Sequence, residues 1–444
     1  MLQPIGLVAA TCNQAGAEKA VVGLYTYKFC GVKMYKSNKK AFIAFMVVYI
    51  MLSCSFLYSQ KQNLDSLTTA KYLEMDIGDY YRKITKKKSI LLPADTIYLN
   101  SRGPFFTPLV LPGYAMVTGF LGEFTSNISF YTLRNDTAKI STISTTDLYS
   151  QYKQFINIIN SNIWTNSNKF NLLGDYRYYI FPVNDFGLGS KTTLADATKV
   201  DYEHLRIYEV VLGKISENIF IGAGYNLDYY WGIKETKNAP TDTTDLDRYG
   251  LTTTSTSSGL TVNIQFDNRL NSNNPDNGTY ANLQVRDNSK LIGSNSNWQS
   301  AVLDIRHYFE LSKESHNVIA LWSYDWLTLN GKPPYFDLPA AGNDAYNNTS
   351  RGYVEDRFRG LNFLYFEAEY RFRILNNGFL GGTVFTNVSS FSEYPSNKFT
   401  AIDPGEGVGL RVKMNKKSNV NLCVDYGIGI GGSRGFVFNM SEVF

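Results

Sequence analysis

Through most of its length the chain alternates apolar and polar residues with a period of two. In Leu260–Phe266, Leu260, Val262, Ile264 and Phe266 share one face, and Thr261, Asn263 and Gln265 share the other. Ile219–Trp231, Thr279–Arg286, Gly407–Met414 and Asn419–Ile428 repeat the pattern. Alternation of this kind predicts half-buried β-strands. The runs outlast the ~5–6 residues usual in globular sheets and suit a tilted membrane-spanning strand of ~9–11 residues. Short links (Leu375–Asn377, Asn415–Ser418) interleave with long ones (Val183–Val200, Gly232–Ser257, Leu329–Gly360). Outer-membrane barrels connect their strands this way, with the short turns in the periplasm. The predicted fold is all-β: a 16-stranded antiparallel transmembrane β-barrel beginning near Pro112, with both termini in the periplasm. Trp231, Trp322 and Trp326 fall near strand ends, where an aromatic girdle is expected.

The polar face carries charge. In Leu361–Arg373, Leu364, Phe366, Ala368, Tyr370 and Phe372 form the lipid side. Glu367, Glu369, Arg371 and Arg373 form the other side, and Asp304, Arg306 and Glu310 do the same in an earlier strand. A register slip of one residue would turn these charges to lipid, at ~2–4 kcal/mol for each base near the midplane. Mixed signs point to ion pairs along a lumen wall rather than a single-sign selectivity ring.

Composition agrees: aromatics are 15%, charged residues only 18%, and the net charge is +4. So small a net charge indicates no nucleic-acid partner. Lys36, Lys39 and Lys40 precede a charge-free apolar run, Ala41 to Tyr58. This reads as a signal peptide at 34–59, with 1–33 an upstream mis-start segment before Met34. Residues 60–111 read as a periplasmic linker, 112–444 as the barrel. Within the linker Ser66 caps an expected helix through Tyr81, followed by Lys86-Lys87-Lys88. Of the four cysteines only Cys423 lies beyond the leader, as a small filler in a strand. Three scattered histidines offer no metal spacing. Phe186-Gly187-Leu188-Gly189-Ser190-Lys191-Thr192 lacks the first glycine of a phosphate loop, and no nucleophile elbow occurs. No catalytic residue, cofactor or metal is expected.

Several motifs, taken in order, resemble the BamA/TamA superfamily of outer-membrane assembly and translocation barrels. Arg351-Gly352-Tyr353, in the long link before Leu361–Arg373, resembles its arginine-glycine-aromatic loop motif. Asp267, Arg269, Pro275 and Gly278 resemble its D-x-R…P-x-x-G periplasmic turn. Phe436, Phe438 and Phe444 mark a closing strand like the superfamily's, with Ser441 where glycine is usual. The resemblance implies that the loop folds back into the lumen between strands 11 and 12. It also implies insertion or translocation of proteins or lipids at the bacterial outer membrane. Two features depart from the pattern. Asn387 stands where the superfamily has the aspartate that receives the loop arginine, and is the expected anchor as a neutral acceptor. The pre-barrel segment is too short for a POTRA receptor domain. Two other functions stay open: a passive channel, or a structural barrel docking a periplasmic or lipoprotein partner. The expected surroundings are outer-membrane lipids, around a monomeric barrel.

Overall fold

The computed structural model describes residues 73–87, 92–93, 103–115, 119–132, 138–180, 182–239, 241–250 and 252–444. The expected leader, the segment before it and Lys88 lie outside these residues. The barrel strands are β1 (Phe105–Ala115), β2 (Gly119–Phe130), β3 (Ser141–Ser150), β4 (Phe155–Trp164), β5 (Phe170–Ile180), β6 (Thr198–Lys214), β7 (Ile219–Thr236) and β8 (Thr254–Asp267). They continue as β9 (Gly278–Asn288), β10 (Trp298–Glu310), β11 (Val318–Gly331), β12 (Asn362–Arg373), β13 (Leu380–Phe391), β14 (Asp403–Asn415), β15 (Val420–Gly429) and β16 (Arg434–Met440). A three-residue strand, Val183–Asp185, pairs with the start of β6.

The strand order is that of a closed antiparallel barrel, with β16 beside β1. Each consecutive pair from β1–β2 to β15–β16 is registered residue by residue. Between β16 and β1 no register is defined among the described residues. The wall is apolar outside and polar inside: on β8, Leu260 is 60% and Val262 58% exposed, while Thr261 and Asn263 are 1% exposed. Water cannot favour that arrangement, whereas lipid outside and a polar lumen inside do.

Four details differ from the sequence reading. β1 begins at Phe105, before the expected Pro112, because Pro108 and Pro112 blur its alternation. Trp322 and Trp326 are not girdle residues. The registers place them on the inner face of β11, where both are buried. The closing strand does not run to the terminal aromatic. It stops at Met440, Ser441 takes φ 90°, and Glu442-Val443-Phe444 turn into the lumen. Phe436 and Phe438 remain on the outside. The pre-barrel helix, α1, spans Ile77–Ile84 and is capped by Asp76, and the expected start at Ser66 lies outside the described residues. Leu73–Glu74 ahead of the helix is extended and pairs with Leu92–Pro93.

Candidate functional site

The link between β11 and β12 folds inward, and its tip is pinned by charge. Arg351 is 2% exposed. Its guanidinium pairs with Glu367, with Glu369 at 2.5 Å and with Asp425 at 2.6 Å. It also lies 3.7 Å from the ring centroid of Phe385, a cation–π contact. Alternation places these partners on the inner faces of β12, β13 and β15. Gly352 has φ 105°, and a Cβ there would stand 2.9 Å from the Ile428 backbone. The loop can therefore pass this close to the wall only with glycine at its tip. Tyr353 donates its hydroxyl to the Pro404 carbonyl at 2.6 Å and accepts from the Ile430 N–H at 3.1 Å.

Asn387 does not receive the arginine side chain. Its Nδ2 donates to the main-chain carbonyl of Arg351 at 2.9 Å, and its Oδ1 has no hydrogen-bond partner among the described residues. Asp425 on β15 supplies a negative charge in its place. The same network continues to the C-terminus. Glu369 pairs with Arg371 at 2.6 Å, and Arg411 joins Asp425 at 2.5 Å and Glu442 at 2.7 Å. Arg371 donates to the Phe444 carbonyl at 3.0 Å. The Phe444 ring stacks on Trp322 at 5.1 Å, and Asn348 of the loop donates to the Val443 carbonyl at 2.8 Å. One luminal lattice thus holds both the loop tip and the tail of the last strand.

A model of the Omp85 superfamily domain matches residues 208–444, more than half of the chain. The chain belongs to the Omp85 superfamily. It is an outer-membrane barrel. Among solved structures, it is similar to BamA from Haemophilus ducreyi lacking POTRA domains 1–3, at 13% identity and TM-score 0.47, over 77% of this chain and 70% of that one. CdiB from Acinetobacter baumannii is similar at 14% identity and TM-score 0.47, over 76% of this chain and 60% of that one. No curated protein matches the chain in sequence.

In this Omp85 barrel the periplasmic turn motif also reaches inside. Arg269 pairs with Asp267 at 3.1 Å and covers the Tyr280 ring. Lys139 pairs with Asp267 at 3.4 Å. Arg371 approaches the Pro275 carbonyl at 3.5 Å, and Gly278 has φ 105°, with Asn268 where a Cβ would go. Between them sits Asn273, which the sequence reading missed. Its Nδ2 donates to Ser129 at 3.0 Å, and its Oδ1 accepts from Asn127 at 3.2 Å, both on β2. On the other side its carbonyl accepts the Glu442 N–H at 2.7 Å, and its Oδ1 accepts from the Ser441 hydroxyl at 3.2 Å. Asn273 therefore bridges the two ends of the barrel sheet from inside. Only its place within the turn motif could have flagged it.

The remaining expected lumen charges divide. Asp304 and Arg306 pair at 2.7 Å, and Asp304 also accepts from Trp322 Nε1 at 2.9 Å. Glu310 joins neither. It contacts His316 across the periplasmic turn at 3.1 Å. Arg373 pairs outside its strand with Glu74 of the pre-barrel segment. At the extracellular end Leu188, Tyr230, Ile233, Leu246, Tyr249, Tyr335, Phe336 and Leu338 pack into a hydrophobic cap. Tyr335 donates to Asp185 at 2.8 Å, and Arg359 lies 3.9 Å from the same carboxylate. Burial pushes the Asp185 carboxyl up to about 6, against the opposing pull of Arg359 and the Tyr335 hydroxyl.

Proposed function

We propose that this barrel inserts or translocates polypeptide or lipid at the bacterial outer membrane, using the seam between β1 and β16. The observation that carries the reading is the shared lattice. The tail of β16 is tied to the loop tip and to Asn273 from inside, beside the place where the two ends of the barrel sheet meet. Pro108 and Pro112 point the same way. They lie four residues apart in β1, so their missing N–H groups fall on one edge. Proline persists in strands where that edge lacks a full ladder. The Phe120 carbonyl on β2 accepts from the Gln151 N–H on the β3 side, so its partner Tyr114 and, at the same parity, Pro112 and Pro108 turn their backbone edge away from β2 and toward β16. A strand edge of this kind accepts an incoming strand by backbone pairing.

On this reading, release of the tail lets β16 part from β1, and Arg351 keeps the adjoining wall of β12, β13 and β15 in shape while it does. A separate periplasmic or lipoprotein partner delivers cargo. The packed extracellular cap argues against a steady pore.

The test uses a chain with its four native cysteines changed to serine and the pair Asn348→Cys and Asn439→Cys added. These side chains meet at 2.9 Å. In proteoliposomes the reduced protein should speed the folding of an added unfolded outer-membrane barrel. Cross-linking should abolish the acceleration and reductant should restore it. Full cross-linking with undiminished acceleration would overturn the seam mechanism, and a large steady conductance from the unmodified protein would favour the channel instead.

A further inference from the structure

Helix α1 is amphipathic, but it is turned inside out relative to its support. Its buried side is acidic. Asp79 is fully buried and pairs with Lys416 at 2.5 Å, and the backbone N–H of Lys416 donates to Asp76 at 3.2 Å. Its outer side is apolar: Ile77, Tyr81 and Ile84 are 45%, 63% and 79% exposed. Spacings of four and three residues bring the three side chains into one stripe. A helix that gives its carboxylates to the barrel and its isoleucines to the surroundings needs an apolar occupant on that face.

Two observations identify the occupant. The first is continuity with the barrel's lipid belt. The segment is seated on the turn between β12 and β13: the Met75 N–H donates to the Asn377 carbonyl at 3.0 Å, and the Tyr80 ring packs tilted against Phe379, with centroids 4.0 Å apart. In the same turn Ile374 and Leu375 are exposed, extending the outer apolar surface to its periplasmic edge. The second is charge. Arg82 and Lys83 sit toward the supported side of the helix, where Arg82 pairs with Asp79 at 3.3 Å, but Lys86 and Lys87 follow the stripe at its end. Aromatic and aliphatic residues on one face with cations flanking them are what an interfacial helix presents to anionic lipid.

We propose that α1 is an interfacial anchor: Ile77, Tyr81 and Ile84 enter the periplasmic leaflet of the outer membrane, and Lys86 and Lys87 meet anionic phospholipid headgroups. The Asp79–Lys416 and Glu74–Arg373 pairs fix its height against the barrel. The anchor would hold the rim beneath β12–β14 at a set depth in the bilayer.

The experiment labels the cysteine-free full chain with an environment-sensitive fluorophore at Ile84→Cys, or at Lys83→Cys on a different face. Each is reconstituted in phosphatidylethanolamine–phosphatidylglycerol vesicles carrying nitroxide lipids. Heat-modifiable gel mobility verifies that each labelled barrel is folded. The label at position 84 should emit blue-shifted light and be quenched at least twofold by nitroxides near the headgroup. The label at 83 should be quenched less than half as much. Replacing the phosphatidylglycerol with neutral lipid should weaken quenching at 84. Water-like, unquenched emission at 84 would overturn the proposal, and burial of that label only after adding periplasmic protein would assign the face to a protein partner. Quenching at 84 that ignores lipid charge would overturn the headgroup contact.

Discussion

The two walls that flank the seam are built from different chemistry. On the C-terminal side, β12, β14 and β15 meet the lumen with Glu367, Glu369, Arg371, Arg411 and Asp425, which share ion pairs with Arg351 and Glu442. On the N-terminal side, β2–β4 meet it mainly with hydroxyls and amides such as Thr125, Asn127, Ser144, Thr146 and Asn160. Neutral hydrogen bonds contribute ~0.5–1.5 kcal/mol each, and water in a polar lumen can replace them. Buried charges are different, because removing one partner leaves the others desolvated and unpaired. The C-terminal wall is therefore rigid in register, and the N-terminal wall is the side that can yield.

The sharpest way to break this comparison is at Arg351. Changing Arg351→Ala leaves three buried carboxylates without their common partner. Urea unfolding in detergent should show a loss of ~3–5 kcal/mol, and Arg351→Lys should recover only part, since a point charge cannot bridge three acids. A loss below ~1 kcal/mol would erase the distinction between the walls.

A smaller effect sharpens it. Superfamily resemblance would favour Asn387→Asp as restoring the usual charge. The geometry predicts the opposite. The new carboxylate would stand near Glu367, 3.4 Å from the present Nδ2, and would lose the donation to the Arg351 carbonyl. The expected cost is ~1–3 kcal/mol by the same measurement, and a gain in stability would show that Asp425 has not taken over the role. The smallest effect belongs to the neutral wall. Asn160 donates to the Ala345 carbonyl at 3.3 Å, and Asn160→Ala should cost no more than ~1 kcal/mol.

The wall was legible because a two-residue period encodes its two faces directly. Glu367, Glu369 and Arg371 could be placed in the lumen from their own strand alone. Their partners could not: Arg351 and Asp425 are 74 residues apart, and no local pattern joins them. The inward tail was hidden for a related reason, since Ser441 gives no signal of a positive φ as glycine would. Trp322 and Trp326 misled because strand position suggested a girdle, while their parity along β11 sends them inward. The docking of Glu74 and Asp76 on distant turns follows from tertiary placement and left no mark on the pattern.

The terminal benzyl group has one further consequence. Once the cylinder has formed, Phe444 is sequestered against Trp322. Any chaperone or receptor that reads this ring can do so only before the cylinder has closed around it.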